Sequence, residues 1–217
     1  MGVDWSKGHD PEVERLVEIY SCWGNSERPE EEGNPRPIRI LGGEKKGQHV
    51  IDALNRGYKF GFVGGGDIHD GRPGDSLQPL QKVDGVSLTH KIYYQGITGI
   101  WAKELTRKEI FRALWERRVF ATTNVRVILK FSISGAPMGS EIRNSKGKLP
   151  IKIFVASEVP ITLLTLVKNG KDYKTIQPEK RVVKWEIEDY ATPNTYYYVR
   201  VQRRDGEMAW ASPVWVN

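Results

Sequence analysis

Asp67 and His69 stand two residues apart, directly after the three glycines Gly64 to Gly66 and the run Tyr58-Lys59-Phe60-Gly61-Phe62-Val63. In extended backbone, residues i and i+2 project to the same side, so this D-x-H pair would offer one carboxylate and one imidazole to a shared point. An oxygen and a nitrogen donor suit zinc, manganese or iron, and the glycines permit close backbone approach. The same triplet also fits a turn in which Asp67 accepts backbone N–H groups, and spacing does not decide between them. A second carboxylate, Glu18, interrupts the β-favouring run Leu16-Val17-Glu18-Ile19-Tyr20. A charge inside such a strand needs a partner or water, so Glu18 meets a cation or metal, or faces an aqueous barrel mouth.

Cys22, the only cysteine, lies between Tyr20 and Trp23. No accompanying Cys/His/Asn arrangement supports a nucleophile, and a buried thiol is the expectation. A lone cysteine also precludes an intrachain disulfide and fits a reducing cytoplasm. Trp185, Tyr190, Tyr196, Tyr197, Tyr198, Trp210 and Trp215 crowd the C-terminal third. They read as core and cross-strand pairs, or as a groove for a glycan or peptide.

The elements that must position these groups divide near residue 124. Before it, Asp10 and Pro11 open a short helix, and Leu16 to Tyr20 is a strand. Ser26 to Asn34 is loop. Val50, Ile51 and Leu54 give helical spacing over Gln48 to Arg56, with Gly57 as the C-terminal cap. Tyr58 to Val63 is then a strand entering a glycine-rich polar turn, the order of a barrel or doubly wound sheet whose reactive groups stand at strand C-terminal ends. Gly96 to Ala102 is a short strand. Thr106 caps a helix to Arg118, with Glu109 completing a capping box and Ile110, Phe111, Leu114 and Trp115 forming an apolar face. Val119 to Thr123 is the last strand of this part.

From Val125 onward helical periodicity gives way to strands at Val125–Ile133, Ile151–Ala156, Ile161–Lys168, Val182–Ile187, Tyr196–Gln202 and Ala209–Val216. Asn169-Gly170 and Asp205-Gly206 are hairpin signals. The expected fold class is therefore α/β plus all-β: a partial (β/α) barrel segment over 1–124, then an antiparallel, immunoglobulin-like β-sandwich over 125–217.

The net charge of +6 raises the question of nucleic acid. Basic and acidic residues alternate, as in Glu44-Lys45-Lys46 and Arg203-Arg204-Asp205, so no basic face forms and no nucleic-acid partner is expected. No signal-peptide core or membrane-length apolar run is present either.

Four segments, Leu16 to Glu27 (LVEIYSCWGNSE), Gly57 to Gly74 (GYKFGFVGGGDIHDGRPG), Gly96 to Thr123 and Asp205 to Val216, occur in order over most of the chain. Together they resemble the C-terminal part of an uncharacterised group related to the polymerase and histidinol phosphatase (PHP) superfamily of metal-dependent phosphoesterases. The resemblance implies a distorted (β/α) barrel holding two or three divalent metals, with a metal-activated hydroxide attacking a small-molecule phosphoester. Its last ligand motif, a D-x-H, falls on Asp67 and His69. Glu18 lies in another matching motif, as a metal ligand or as support for one. Arg72, in the G-R-P-G turn, would hold the substrate anion, or pair with Asp70 or Asp75.

The superfamily's H-x-H motif is absent. His9, His49 and His90 are isolated in the sequence and read as surface or loop residues, His9 being notable for preceding the Glu18 strand. A multinuclear site cannot be closed with what remains. The chain is thus expected to be a hydrolase fragment, inactive alone, whose exposed barrel edges favour self-association. The competing expectation is a noncatalytic binding module that uses the aromatic face of its β half.

Overall fold

The computed structural model describes residues 3–39, 42–67, 82–83, 86–87, 93–143, 147–190 and 192–217. His69, Asp70, Arg72, Asp75 and His90 fall outside them. Strand β1 (Leu16–Ser21) turns back into the two-residue β2 (Gly24–Asn25), and a loop with a short 3-10 turn leads to helix α1 (Val50–Asn55). At the helix start the His49 backbone N–H donates to Asp52 at 2.9 Å. Gly57 takes φ +90° just past its end, where a Cβ would be strained. The chain then enters β3 (Gly61–Gly64), which pairs in parallel with β1, Leu16 facing Gly61 and Val17 facing Phe62. With β2 this β-α-β unit makes a three-stranded sheet, β2-β1-β3, and the described residues show no closed (β/α) barrel.

After the small antiparallel pair β4 (Lys82–Val83) and β5 (Val86–Ser87), strand β6 (Ile97–Ile100), helix α2 (Arg107–Trp115) and strand β7 (Val119–Thr122) follow. The remaining strands are β8 (Val127–Ile133), β9 (Ala136–Pro137), β10 (Glu141–Ile142), β11 (Leu149–Lys168), β12 (Lys171–Ile176), β13 (Lys180–Asp189), β14 (Thr195–Arg203), β15 (Met208–Ala211) and β16 (Val214–Val216). The Asn169-Gly170 hairpin joins β11 to β12 with both residues in the left-handed region, φ +50° and +76°, as a type I′ turn requires.

The all-β character expected beyond residue 124 is present, but the strands do not form two separate sheets of an immunoglobulin-like sandwich. They make one continuous sheet, ordered β6-β7-β15-β14-β11-β8-β9 along its main path. The reason lies in β11. Its first half, Leu149 to Ala156, pairs with β8 and β13, and its second, Ile161 to Lys168, with β12 and β14. What reads in sequence as two strands is thus one, bent where the β13 register shifts between Ala156 and Ile161. The bend curls the sheet around a shared core that includes Leu129, Ile151, Ile153, Leu166, Val199 and Val201. The sheet also runs across residue 124, since β7 pairs with β15 through Ala121 and Trp210.

Strand β14 is buried on both faces. Tyr197, Val199 and Val201 enter the shared core, while Tyr196 and Tyr198 pack with Trp210 against Ile19, Phe62, Val50 and Leu54 of the β-α-β unit, following the two-residue period of a strand. Between these layers sits Glu27, 1% exposed. Its carboxylate accepts hydrogen bonds from Tyr198 (2.6 Å), Arg200 (2.7 Å) and Trp210 (2.7 Å), which satisfies a charge that would otherwise be prohibitively buried. No helix among the described residues is long and apolar enough to cross a membrane.

Candidate metal centre

The parallel strands β1 and β3 end side by side, the place where open α/β sheets bind ligands. The β1 register shifts against β3 between Glu18 and Tyr20, a bulge of the kind that re-aims a side chain. Past β3 the backbone is tied back to β1 and forward to β6. The N–H of Gly65 donates to Tyr20 O at 3.0 Å, and that of Gly96 to Gly65 O at 2.7 Å. At Gly65 the absence of a side chain is functional space: a Cβ there would lie 1.8 Å from Glu18 Oε1. The glutamate carboxylate therefore rests against the Gly65 backbone.

Asp67 follows at φ +49°, a left-handed conformation that aspartate tolerates better than most residues. Its carbonyl accepts from the Trp23 indole N–H at 2.8 Å and lies 3.8 Å from the Cys22 thiol. The expectation that Asp67 and His69 share a side rested on extended backbone, and the backbone is not extended at Asp67. His69 and Arg72 themselves lie outside the described residues.

Burial, with the neighbouring Asp67 charge in second place, pushes Glu18 up to about 7. Glu18 lines the mouth of the site, and solvent still reaches it. Burial, Asp67 and Glu18 push the Cys22 thiol up to about 12. Cys22 is fully buried, as expected from the sequence, and is a poor nucleophile at neutral pH.

The Asp67 charge, added to burial, disfavours ionisation of Glu18, and a cation beside Glu18 would offset that cost. The Gly65 cradle and the hard oxygen donors fit a divalent metal. Among the described residues, no three His, Cys, Asp or Glu side chains converge closely enough to hold one.

Glu18 also borders a small, partly open pocket of about 90 Å³ shared with Asn25, Glu44, Gln48 and His49. Four polar atoms of those residues, Asn25 Nδ2, Glu44 Oε2, Gln48 Oε1 and His49 Nε2, are buried without a hydrogen-bond partner. Two of them, His49 Nε2 and Glu44 Oε2, face each other at 3.5 Å, and Asn25 Nδ2 and Gln48 Oε1 are left for water to satisfy. Nothing in the spacing of these residues announces the pocket, because they come from β2 and from the loop before α1.

His49, read in sequence as a surface or loop residue, is 4% exposed and lies 3.5 Å from Glu44. His9 packs elsewhere. Its ring stacks on Tyr58 at 4.4 Å and its Nδ1 lies 2.7 Å from Glu14 Oε2, so it plugs the Trp5–Phe60 cluster. Of the seven C-terminal aromatics, Tyr196, Tyr197, Tyr198, Trp210 and Trp215 are buried and Tyr190 is exposed, which favours core over groove.

A family model described as a protein of unknown function (DUF3604) matches residues 45–146. Uncharacterized proteins of Chlamydia muridarum and of Chlamydia trachomatis serovar D are each 33% identical over 235 aligned positions, covering all of this chain and 36% of the relative. An uncharacterized protein of Chlamydia pneumoniae is 34% identical, covering 95% of this chain and 35% of the relative. A crystal structure of an engineered protein is similar at a TM-score of 0.29 and 11% identity, over 42% of this chain and 20% of that one. The chain thus spans little more than a third of the length of the curated relatives it matches.

Proposed function

We propose that the chain is the C-terminal part of a PHP-like, metal-dependent hydrolase acting on a small phosphoester, with β1, α1 and β3 as a segment of its (β/α) barrel. In this reading Glu18, Asp67 and His69 bind the divalent metal, zinc, manganese or iron, and Arg72 holds the substrate anion. When bound, the metal supplies a Lewis acid and a water of lowered pKa. The chain's own part is to seat the Glu18 carboxylate against the bare Gly65 backbone, two residues before Asp67, and that cradle is the observation that supports the proposal. Without an H-x-H motif in the chain, it binds metal but does not turn over alone.

Thermal melting at neutral pH with Mn²⁺ or Zn²⁺ tests this. A metal at a hundredfold excess over its Kd stabilises by about 2.7 kcal/mol, a Tm rise of roughly 5–10 °C for a chain of this size. The rise is expected in the wild type and is lost in Glu18→Gln, Asp67→Asn and His69→Ala. The same rise in all three variants would end the proposal.

A further inference from the structure

The main path of the curled sheet ends in β6 on one side and β9 on the other, and the curl brings these ends together without joining them as paired strands. The seam is bridged by side chains: the Trp101 indole, just past β6, donates to Leu129 O of β8 at 2.8 Å. Beside that bridge opens a cleft of about 390 Å³, within the size range of small-molecule sites. Its apolar wall is Trp101, Phe131, Pro137 and Met138, and its polar groups include Lys103, Arg118 and Lys130, with no carboxylate among the described residues that line it.

We infer that this seam cleft binds a small organic anion carried on a flat apolar body, an aryl carboxylate or aryl phosphate. Three cations converge there. Lys130 Nζ stands 4.8 Å from the centre of the Trp101 ring, so ring and ammonium already share one face of the cleft. Arg118 lines the cleft from the end of the α2–β7 connection. Its Nη2 lies 2.8 Å from Glu116 Oε2, but the other oxygen of Glu116 is taken by Arg112 at 2.8 Å. Arg118 thus adds to the positive field of the cleft through its guanidinium, while Lys103 and Lys130 are the exposed cations that an entering anion meets. Trp101 is held in place by its own indole bond, so the flat surface exists before a ligand arrives.

The cleft is distinct from the Glu18–Asp67 centre. β6 begins next to Gly96, which is bonded to Gly65, and reaches Trp101 five residues later, roughly 17 Å along a strand.

Calorimetric titration of the full chain with 2-naphthoate, beside neutral 2-naphthamide, tests the inference. 2-Naphthoate is expected to bind with a Kd of roughly 1 mM or tighter, and the amide at least about tenfold more weakly. Lys103→Gln combined with Lys130→Gln should weaken naphthoate about tenfold with a Tm loss of no more than about 4 °C, since both lysines are exposed and Lys130 gives up only its contact with the Trp101 ring. In ¹⁵N-labelled protein the Trp101 indole N–H signal, assigned by Trp101→Phe, should move on naphthoate addition and stay put with the amide at equal concentration. No binding of naphthoate, equal binding of the amide, or full affinity in the double variant would overturn it.

Discussion

Glu18 takes up its proton near neutrality because burial and Asp67 both disfavour its charge, and the pH dependence of folding should carry that signature. An acid raised from 4.5 to about 7 binds more protons folded than unfolded between those values, so the metal-free fold loses stability as pH rises across that window. Solvent reaches Glu18 and screens it, which limits the effect to on the order of 1 kcal/mol. Glu18→Gln should therefore melt above the wild type at about pH 8 and alongside it near pH 4.5. Saturating Mn²⁺ should reverse the order at the higher pH. A Tm difference independent of pH would show that Glu18 titrates normally. The two carboxylates were legible in the sequence from their odd placement, one inside an apolar run and one after three glycines. The Asn25–Glu44–Gln48–His49 pocket was not, since it is assembled by folding from residues without a common spacing. Nor was the left-handed Asp67, because hydrophobic periodicity carries no record of a single backbone dihedral.

Helix α2 shows how far an element can be read correctly and still be turned the wrong way. Thr106 caps it as expected, accepting from the Glu109 N–H at 3.3 Å. The apolar face read from Ile110, Phe111, Leu114 and Trp115 is buried only in part: Ala113 is buried, whereas Phe111 and Trp115 are 63% and 45% exposed and stack on each other. The guanidinium of Arg15 lies over Trp115 at 5.3 Å. Phe111→Ser should accordingly change stability in urea by no more than about 0.5 kcal/mol. Trp210→Ala, which empties the space between β15 and the β-α-β unit, should cost about 3–5 kcal/mol. A large loss in Phe111→Ser would mean that the helix packs its aromatic side inward. Strand β14 is the complementary case, its position legible from the Tyr196 to Val201 run but its burial on both faces visible only once the β-α-β unit is laid across it.

Across the whole molecule, the boundary near residue 124 separates two sequence patterns that the hydrogen bonding joins. β6 and β7 precede it and yet extend the same sheet through β15. A fragment of residues 125–217 would leave the β15 edge unpaired and uncover Tyr196, Tyr198 and Trp210, whose cover comes partly from Ile19, Val50, Leu54 and Phe62. Such a fragment is expected to aggregate or to show no cooperative melting, and a soluble monomer with a sharp transition would contradict this. The order β7-β15-β14 has a further meaning for how the chain comes into being. β15 lies between strands made before it, so a nascent chain on the ribosome holds a sheet with an empty slot until residue 211 emerges. Closure of this sheet must wait until β15 has emerged, and a chain cut ahead of it would leave β6 and β7 without their link to β14.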